Sequence, residues 1–358
     1  MLHTSGNKHW VSVAGLSALA IVLSCAALGQ TAASAPDASA PDAKIQIEEL
    51  RPPLLLKRPV PNYPMQEVLQ FGEGWVQVGM MVDPNGKPFE VTVEASSGDK
   101  VFEKEAVRAV EQATYQPGML NGQAIDSASK IKIVFSFTEP STGARADFVH
   151  QYAKLEKAVA AKDKTAADAA LKGLEVRNLY EDAYFGLANY LYARQWGDEP
   201  QQLAGLRRAI AYEKSAHYLK DLQFQSALVQ CLALEVKLNH FAEAQKLWTS
   251  LLLTGVDAGT IAKIRPMMQQ LDHIRVSDDA YGVAGSMPDG TWGLELYKRN
   301  FRFKVSEGHI SYVKLRCSKG FVRFAFDPDI DYKVNSKYGD CRLELDGGPG
   351  TQFTLTQF

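Results

Sequence analysis

Residues 59–138 read PVPNYPMQEVLQFGEGWVQVGMMVDPNGKPFEVTVEASSGDKVFEKEAVRAVEQATYQPGMLNGQAIDSASKIKIVFSFT, and this stretch decides the fold. The prolines of Pro59-Val-Pro-Asn-Tyr-Pro64 fix φ and hold off a helix until after Pro64. Met65 to Phe71 reads as a short helix stopped by Gly72 and Gly74. Val76, Val78, Met80 and Val82 alternate and share one strand face, and Asp83-Pro-Asn-Gly86 is a turn. Phe89, Val91, Val93 and Ala95 alternate against Glu90, Thr92 and Glu94, which predicts a half-buried hairpin. Asp99 is placed to cap a helix in which Phe102, Ala106, Val110 and Ala113 recur at helical spacing. After an Asn121-Gly122 turn, Ile131, Ile133, Phe135 and Phe137 face one way on a closing strand, and Lys130, Lys132 and Ser136 the other. Two strands, a helix on one face and a closing strand make a small α/β sandwich.

The ordered set Tyr63-Pro64, Gly74–Val76 (Gly-x-Val), Val82–Gly86 (Val-Asp-x-x-Gly) and Val93–Gly98 (Val-x-x-Ser-Ser-Gly) resembles the TonB C-terminal domain family. The helix from Phe102 to Val110, then Tyr115-x-Pro117 and Asn121-Gly122, continue the likeness in register. The resemblance implies a module that pairs with an extended segment of an outer-membrane receptor, which is β-augmentation. It points to the edge Lys130 to Phe137, though no side-chain contact transfers by motif; on that edge Lys130, Lys132, Val134 and Ser136 are read as the partner-binding positions. The two lysines read equally well as charges that keep an edge strand from aggregating. Other features separate the chain from an energy transducer. Its leader reads as cleaved or lipid-replaced, and it lacks a long Pro-Lys/Glu-rich spanner; the linker of about 30 residues reaches at most ~100 Å. The chain also continues far beyond the module.

Met1 to Ala33 carries an export signature: Lys8, an uncharged run from Trp10 to Leu28, and small residues at Ala27 and Gly29 before Gln30. Residues 1–29 are read as a signal peptide. Val22-Leu23-Ser24-Cys25 also reads as a lipobox with Cys25 acylated, and the apolar run is just long enough for an uncleaved anchor. Each fate places the rest of the chain outside the cytoplasm, in the periplasm. Residues 30–58 are a linker: Gln30 to Asp42 is Ala, Ser, Pro and Asp with nothing to bury, and Lys44 to Arg58 ends in Arg51-Pro-Pro-Leu-Leu-Leu-Lys-Arg58. That last run is either a proline-rich sticky motif or a lead-in packing Leu54–Leu56 on the module.

Residues 144–275 change to a period of 3.6. Phe148, Tyr152, Leu155 and Val159 form one stripe, and Ala170, Leu171 and Leu174 another. Tyr184, Phe185, Leu187 and Leu191 form a third, ended by Gly197. Leu203 to Tyr218, Leu222 to Leu238 and Phe241 to Leu253 continue the series. Phe241-x-x-Ala244-x-x-x-Trp248-x-x-Leu251 is similar to the second helix of a tetratricopeptide repeat, so an antiparallel helical array is expected. Residues 276–358 return to strands at 292–296, 301–305, 310–316, 321–326, 341–345 and 352–358, an all-β antiparallel domain. The fold class is thus α+β and multidomain, with the TonB-like domain at 59–140.

Of the four cysteines, Cys317 and Cys341 lie on separate strands of an exported domain and are expected to bond. Cys231, among Leu228, Leu232 and Leu234, reads as a buried thiol. A net charge of −2 leaves no polyanion footprint, which argues against nucleic acid. Seven histidines show no metal-ligand spacing. In Asp327-Pro-Asp-Ile-Asp331 an EF-hand would need Gly and Glu where Tyr332 and Tyr338 stand, so this is an acidic turn. Asp346-Gly-Gly-Pro-Gly-Thr351 is followed by neither Lys nor a helix and is no phosphate loop. No nucleophile elbow or Cys–His pair emerges. The chain is therefore read as a non-enzymatic envelope adaptor without cofactors, its partner an envelope or outer-membrane protein with an extended segment. The alternative is an exported enzyme or carbohydrate-binding protein acting on wall or sugar polymers, which requires a carboxylate pair the sequence does not single out.

Overall fold

A computed structural model describes residues 48–70, 72–137, 143–211 and 218–358. The expected leader, its Cys25 and the bulk of the linker lie outside the described residues. The lead-in forms β1 (Leu50–Arg51) and β2 (Leu54–Lys57), followed by α1 (Met65–Gln70). The module then runs β3 (Gly74–Val82), β4 (Pro88–Ser96), α2 (Lys100–Glu111), β5 (Thr114–Gln116), β6 (Gly118–Leu120), β7 (Gln123–Ile125) and β8 (Ser127–Phe135). The main sheet has the order β4-β3-β8, antiparallel throughout. Val76, Val78, Met80 and Val82 are buried against Phe102, Ala106 and Val110 of α2, as the two periods require. Asp99 caps α2 by accepting from Val101 N at 2.7 Å.

The lead-in is more ordered than a plain packing segment: β2 pairs with β5 and β1 with β6. Only Leu55 of the three leucines packs on the module core, while Leu54 and Leu56 remain exposed. Alternation along a two-stranded ribbon allows one face alone to be covered.

The helical array comprises α3 (Ala146–Ala160), α4 (Lys164–Lys172), α5 (Leu179–Trp196), α6 (Glu199–Ala209), α7 (Asp221–Lys237), α8 (Phe241–Leu252) and α9 (Ala258–Val276). Helix α6 opens with a full capping box at Asp198 and Gln201. Where α5 meets α6, Gly186 and Gly205 let the backbones touch. A Cβ on Gly186 would lie 2.5 Å from Ala209 N, and one on Gly205 would lie 2.6 Å from Tyr190 N. Helix α9 carries Pro266 in its interior and extends through Val276.

The C-terminal part is a sandwich of eight strands, two more than expected: β9 (Tyr281–Met287), β10 (Thr291–Glu295), β11 (Asn300–Glu307), β12 (Ile310–Cys317), β13 (Gly320–Ala325), β14 (Tyr332–Lys333), β15 (Cys341–Gly347) and β16 (Thr351–Gln357). The sheets run β10-β15-β12-β13 and β14-β11-β16-β9 and share one core, with Phe301, Val313, Leu343 and Leu355 fully buried. Strand β9 was missed because its alternate positions are Gly282, Ala284 and Ser286, with little apolar contrast. Residues 48–358 form one compact unit.

Cys317 and Cys341 are directly opposite on β12 and β15 and form a disulfide. Cys231 is buried outside it. Removing the bridge with Cys317→Ser and Cys341→Ser together should cost about 3 kcal/mol, given a separation of 24 residues. Urea unfolding monitored by tryptophan fluorescence, with and without reductant, measures this loss.

Candidate functional site

Strand β8 pairs with β3 over nine residues without a register shift. On the other side of β3, the pairing with β4 slips twice, between Gln77 and Val78 and between Gly79 and Met81. The extra residues fall at Glu94 and at Glu90–Val91, and Glu90 has a φ of 48°. These bulges break the alternation read from the sequence. Val91 packs on the core, whereas Phe89 turns away to meet Phe321 edge-on at 5.5 Å, and Val93 and Ala95 are exposed. A bulged strand is a poor template for strand addition, so β8 is the regular edge of this sheet.

The face of β8 expected to be wet is partly an internal interface. Lys132 donates from Nζ to the Ala211 carbonyl and lies 5.2 Å over the Trp75 ring. Ser127 donates to the Ser318 carbonyl at 2.6 Å, so the sandwich abuts the start of the strand. Lys130 is exposed, Ser136 is half-buried, and the Val134 side chain is 43% exposed. The four positions therefore do not form one solvated stripe: Lys132 holds the array, and Val134 offers the open side chain.

The second face of β3 is buried as well, with Trp75 at 4% exposure and Met81 at 0%. Trp75 Nε1 donates to Asp182 Oδ2 at 2.8 Å, and Arg208 donates from Nε to Asp182 Oδ1 at 2.8 Å. The Arg208 Nη2 also donates to the Ser97 carbonyl at 2.7 Å. Burial pushes the Asp182 carboxyl up from its usual range, and Arg208 and Trp75 act against that rise. Glu73 adds a second clamp: its N–H donates to the Arg177 carbonyl at 2.8 Å, and its Oε2 accepts from Leu179 N at 3.1 Å.

Against the sandwich, the two bulges aim Glu90 and Glu94 at cations. Lys314 lies 3.0 Å from Glu90 and 2.9 Å from Asp346. Arg342 stands 3.8 Å from Glu94, 3.4 Å from Glu344 and 4.0 Å from Glu295. Burial would raise Glu295, but Lys246 and Arg342 hold it below the ordinary carboxylate value. Glu243, beside this seam, is raised by burial and then by Glu235. No motif announced these residues; the only sequence signal was apolar Trp75 and Met81 on the strand face opposite Val76 and Val78.

The turn at Asp327–Asp331 is tied by Tyr332, whose hydroxyl donates to the Asp327 carbonyl and accepts from its N–H, both at 2.8 Å. Among the described residues no group of three His, Cys, Asp or Glu is gathered to hold a metal. No helix among them is long and apolar enough to cross a membrane.

Residues 59–137 match the family model described as Gram-negative bacterial TonB protein C-terminal. Among solved structures, the chain is similar to the TonB C-terminal domain of Pseudomonas aeruginosa determined by solution NMR. The two share 18% identity over 27% of this chain and 95% of that one, with a TM-score of 0.22. It is also similar to the TonB2 protein from Vibrio anguillarum, at 28% identity over 24% of this chain and 82% of that one, with a TM-score of 0.21. No curated protein matches the chain.

Two outcomes follow for the interface. Arg208→Ala leaves the Asp182 carboxylate buried without its counter-charge, held only by the Trp75 indole, and should cost roughly 3–5 kcal/mol in urea unfolding. Glu243 binds its proton more tightly folded than unfolded, so above the ordinary value of 4.5 the native state holds more protons than the unfolded chain. Stability should then fall with rising pH over that window, and Glu243→Gln should flatten the slope. Thermal melting across pH 4 to 8 measures both slopes.

Proposed function

We propose that the protein is an exported, periplasmic adaptor of the cell envelope whose TonB-like module takes up an extended segment of a partner along β8. The observation that carries this reading is the contrast between the two edges of the module sheet. Strand β8 is regular over its full length, and among the described residues no strand pairs on its outer side. Strand β4 is broken by two bulges. A partner strand added at β8 would gain backbone hydrogen bonds without rearranging the core, and alternate side chains would supply selectivity. The family match at 59–137 supports the same choice, since strand pairing with outer-membrane receptors is what the resemblance implies.

The contact of Ser127 with Ser318 lies at one end of the docking line, and the open Val134 side chain lies near the other. Lys132 would act by fixing β8 against the array and not by touching the partner. The array and the sandwich hold the strand at a fixed angle to whatever carries the partner segment.

A photo-activatable phenylalanine analogue at Val134 tests this. It should crosslink a defined envelope protein in intact cells, and an added peptide of the crosslinked segment should compete. The same analogue at Leu222, which is 81% exposed on the array, should not capture that protein. Equal capture at both positions would refute β8 as the docking line.

A further inference from the structure

Between the module sheet and the sandwich lies a cavity of about 160 Å³. Its walls include Glu94 of β4, Ser129 and Lys130 of β8, Glu295 of β10, Arg316 of β12 and Arg342 of β15. Arg316 is only 3% exposed, yet none of its three guanidinium nitrogens has a hydrogen-bond partner. The nearest carboxylate oxygen, on Glu344, sits 2.9 Å from Nε, close enough for charge contact but not aligned as a hydrogen bond. The Arg342 Nε is likewise buried and without a hydrogen bond.

A guanidinium presents five N–H groups in a rigid fork. Burying such donors without acceptors is costly, so proteins rarely leave them so. We propose that this cavity is a binding site for a single carboxylate, received by the Arg316 fork with Lys130 at its side.

The walls carry no net positive charge: Lys130, Arg316 and Arg342 face Glu94, Glu295 and the well-exposed Asp340, and Glu344 lies against Arg316. A dianion such as phosphate is therefore repelled, and an anion is held here only by directed hydrogen bonds from the open donors. A monoanion of planar shape matches the fork with two parallel hydrogen bonds. The volume suits an acetate-sized group with one or two waters, given about 30 Å³ per water in the liquid. The carboxylate has two sources: a free small acid, or an Asp or Glu side chain on a peptide. The site stands on Arg316 and does not require strand addition at β8.

The test uses the full chain. It is titrated with sodium acetate, and separately with sodium phosphate and sodium chloride at matched ionic strength, by calorimetry and thermal melting. Acetate should bind saturably and raise the Tm, and the other two salts should not. Arg316→Lys should weaken acetate at least tenfold with an unchanged circular dichroism spectrum. Should Arg316→Lys not fold, Ser129→Leu, which fills the cavity from β8, should abolish the acetate response. A blocked peptide carrying one Glu is then compared with its Gln counterpart. Tighter binding of the Glu peptide than of acetate assigns a peptide-borne carboxylate, and weaker or no binding assigns a free acid. An equal Tm rise in all three salts would overturn the site. So would an acetate response that survives both substitutions.

Discussion

The structure turns on one buried carboxylate. Asp182, on α5, takes hydrogen bonds from the Trp75 indole of the module and the Arg208 guanidinium of α6. An ionised group at 0% exposure persists only where its lone pairs are met, so the groups that meet it cannot drift independently. Arg208 also reaches the Ser97 carbonyl, so the loop before α2 is fixed by the same contact. The close approach of α5 and α6 at Gly186 and Gly205 is what brings Asp182 and Arg208 to one point. A sheet, a loop and a helical hairpin are therefore positioned by a single set of polar bonds.

Around that point the module becomes a layer buried on both sides. In an antiparallel sheet one face commonly meets water, and its strands then alternate apolar and polar. Strand β3 departs from that pattern, with Trp75 and Met81 on one face and Val76, Val78, Met80 and Val82 on the other, all buried. The sandwich covers part of the second face through charged contacts at Lys314 and Arg342, and the array covers another part through Trp75.

Much of this was legible in the sequence where a single period runs undisturbed. The α2 stripe, the Asp99 cap, the Gly197 stop and the Cys317–Cys341 pair all follow from local rules and survive unchanged. The module resemblance held because its glycines and turn residues answer to backbone geometry. What escaped was non-local. The bulges at Glu90 and Glu94 serve cations more than 200 positions away, and nothing in Phe89–Ala95 announces them. Lys132 looked like a solvated charge because a lysine on an alternating strand usually is; its partner carbonyl at Ala211 lies on another element. Strand β9 and the Pro266-containing α9 were hidden by weak contrast and by a residue that ordinarily ends helices.

The two bulges of β4 also bear on assembly. Open-ended growth of a β-sheet requires each added unit to present a second competent edge to the next. In the module sheet the β4 side is kinked twice, with its acidic side chains drawn into ion pairs. The β4 side is thereby blunted against pairing with another chain, so copies cannot stack head to tail through this sheet.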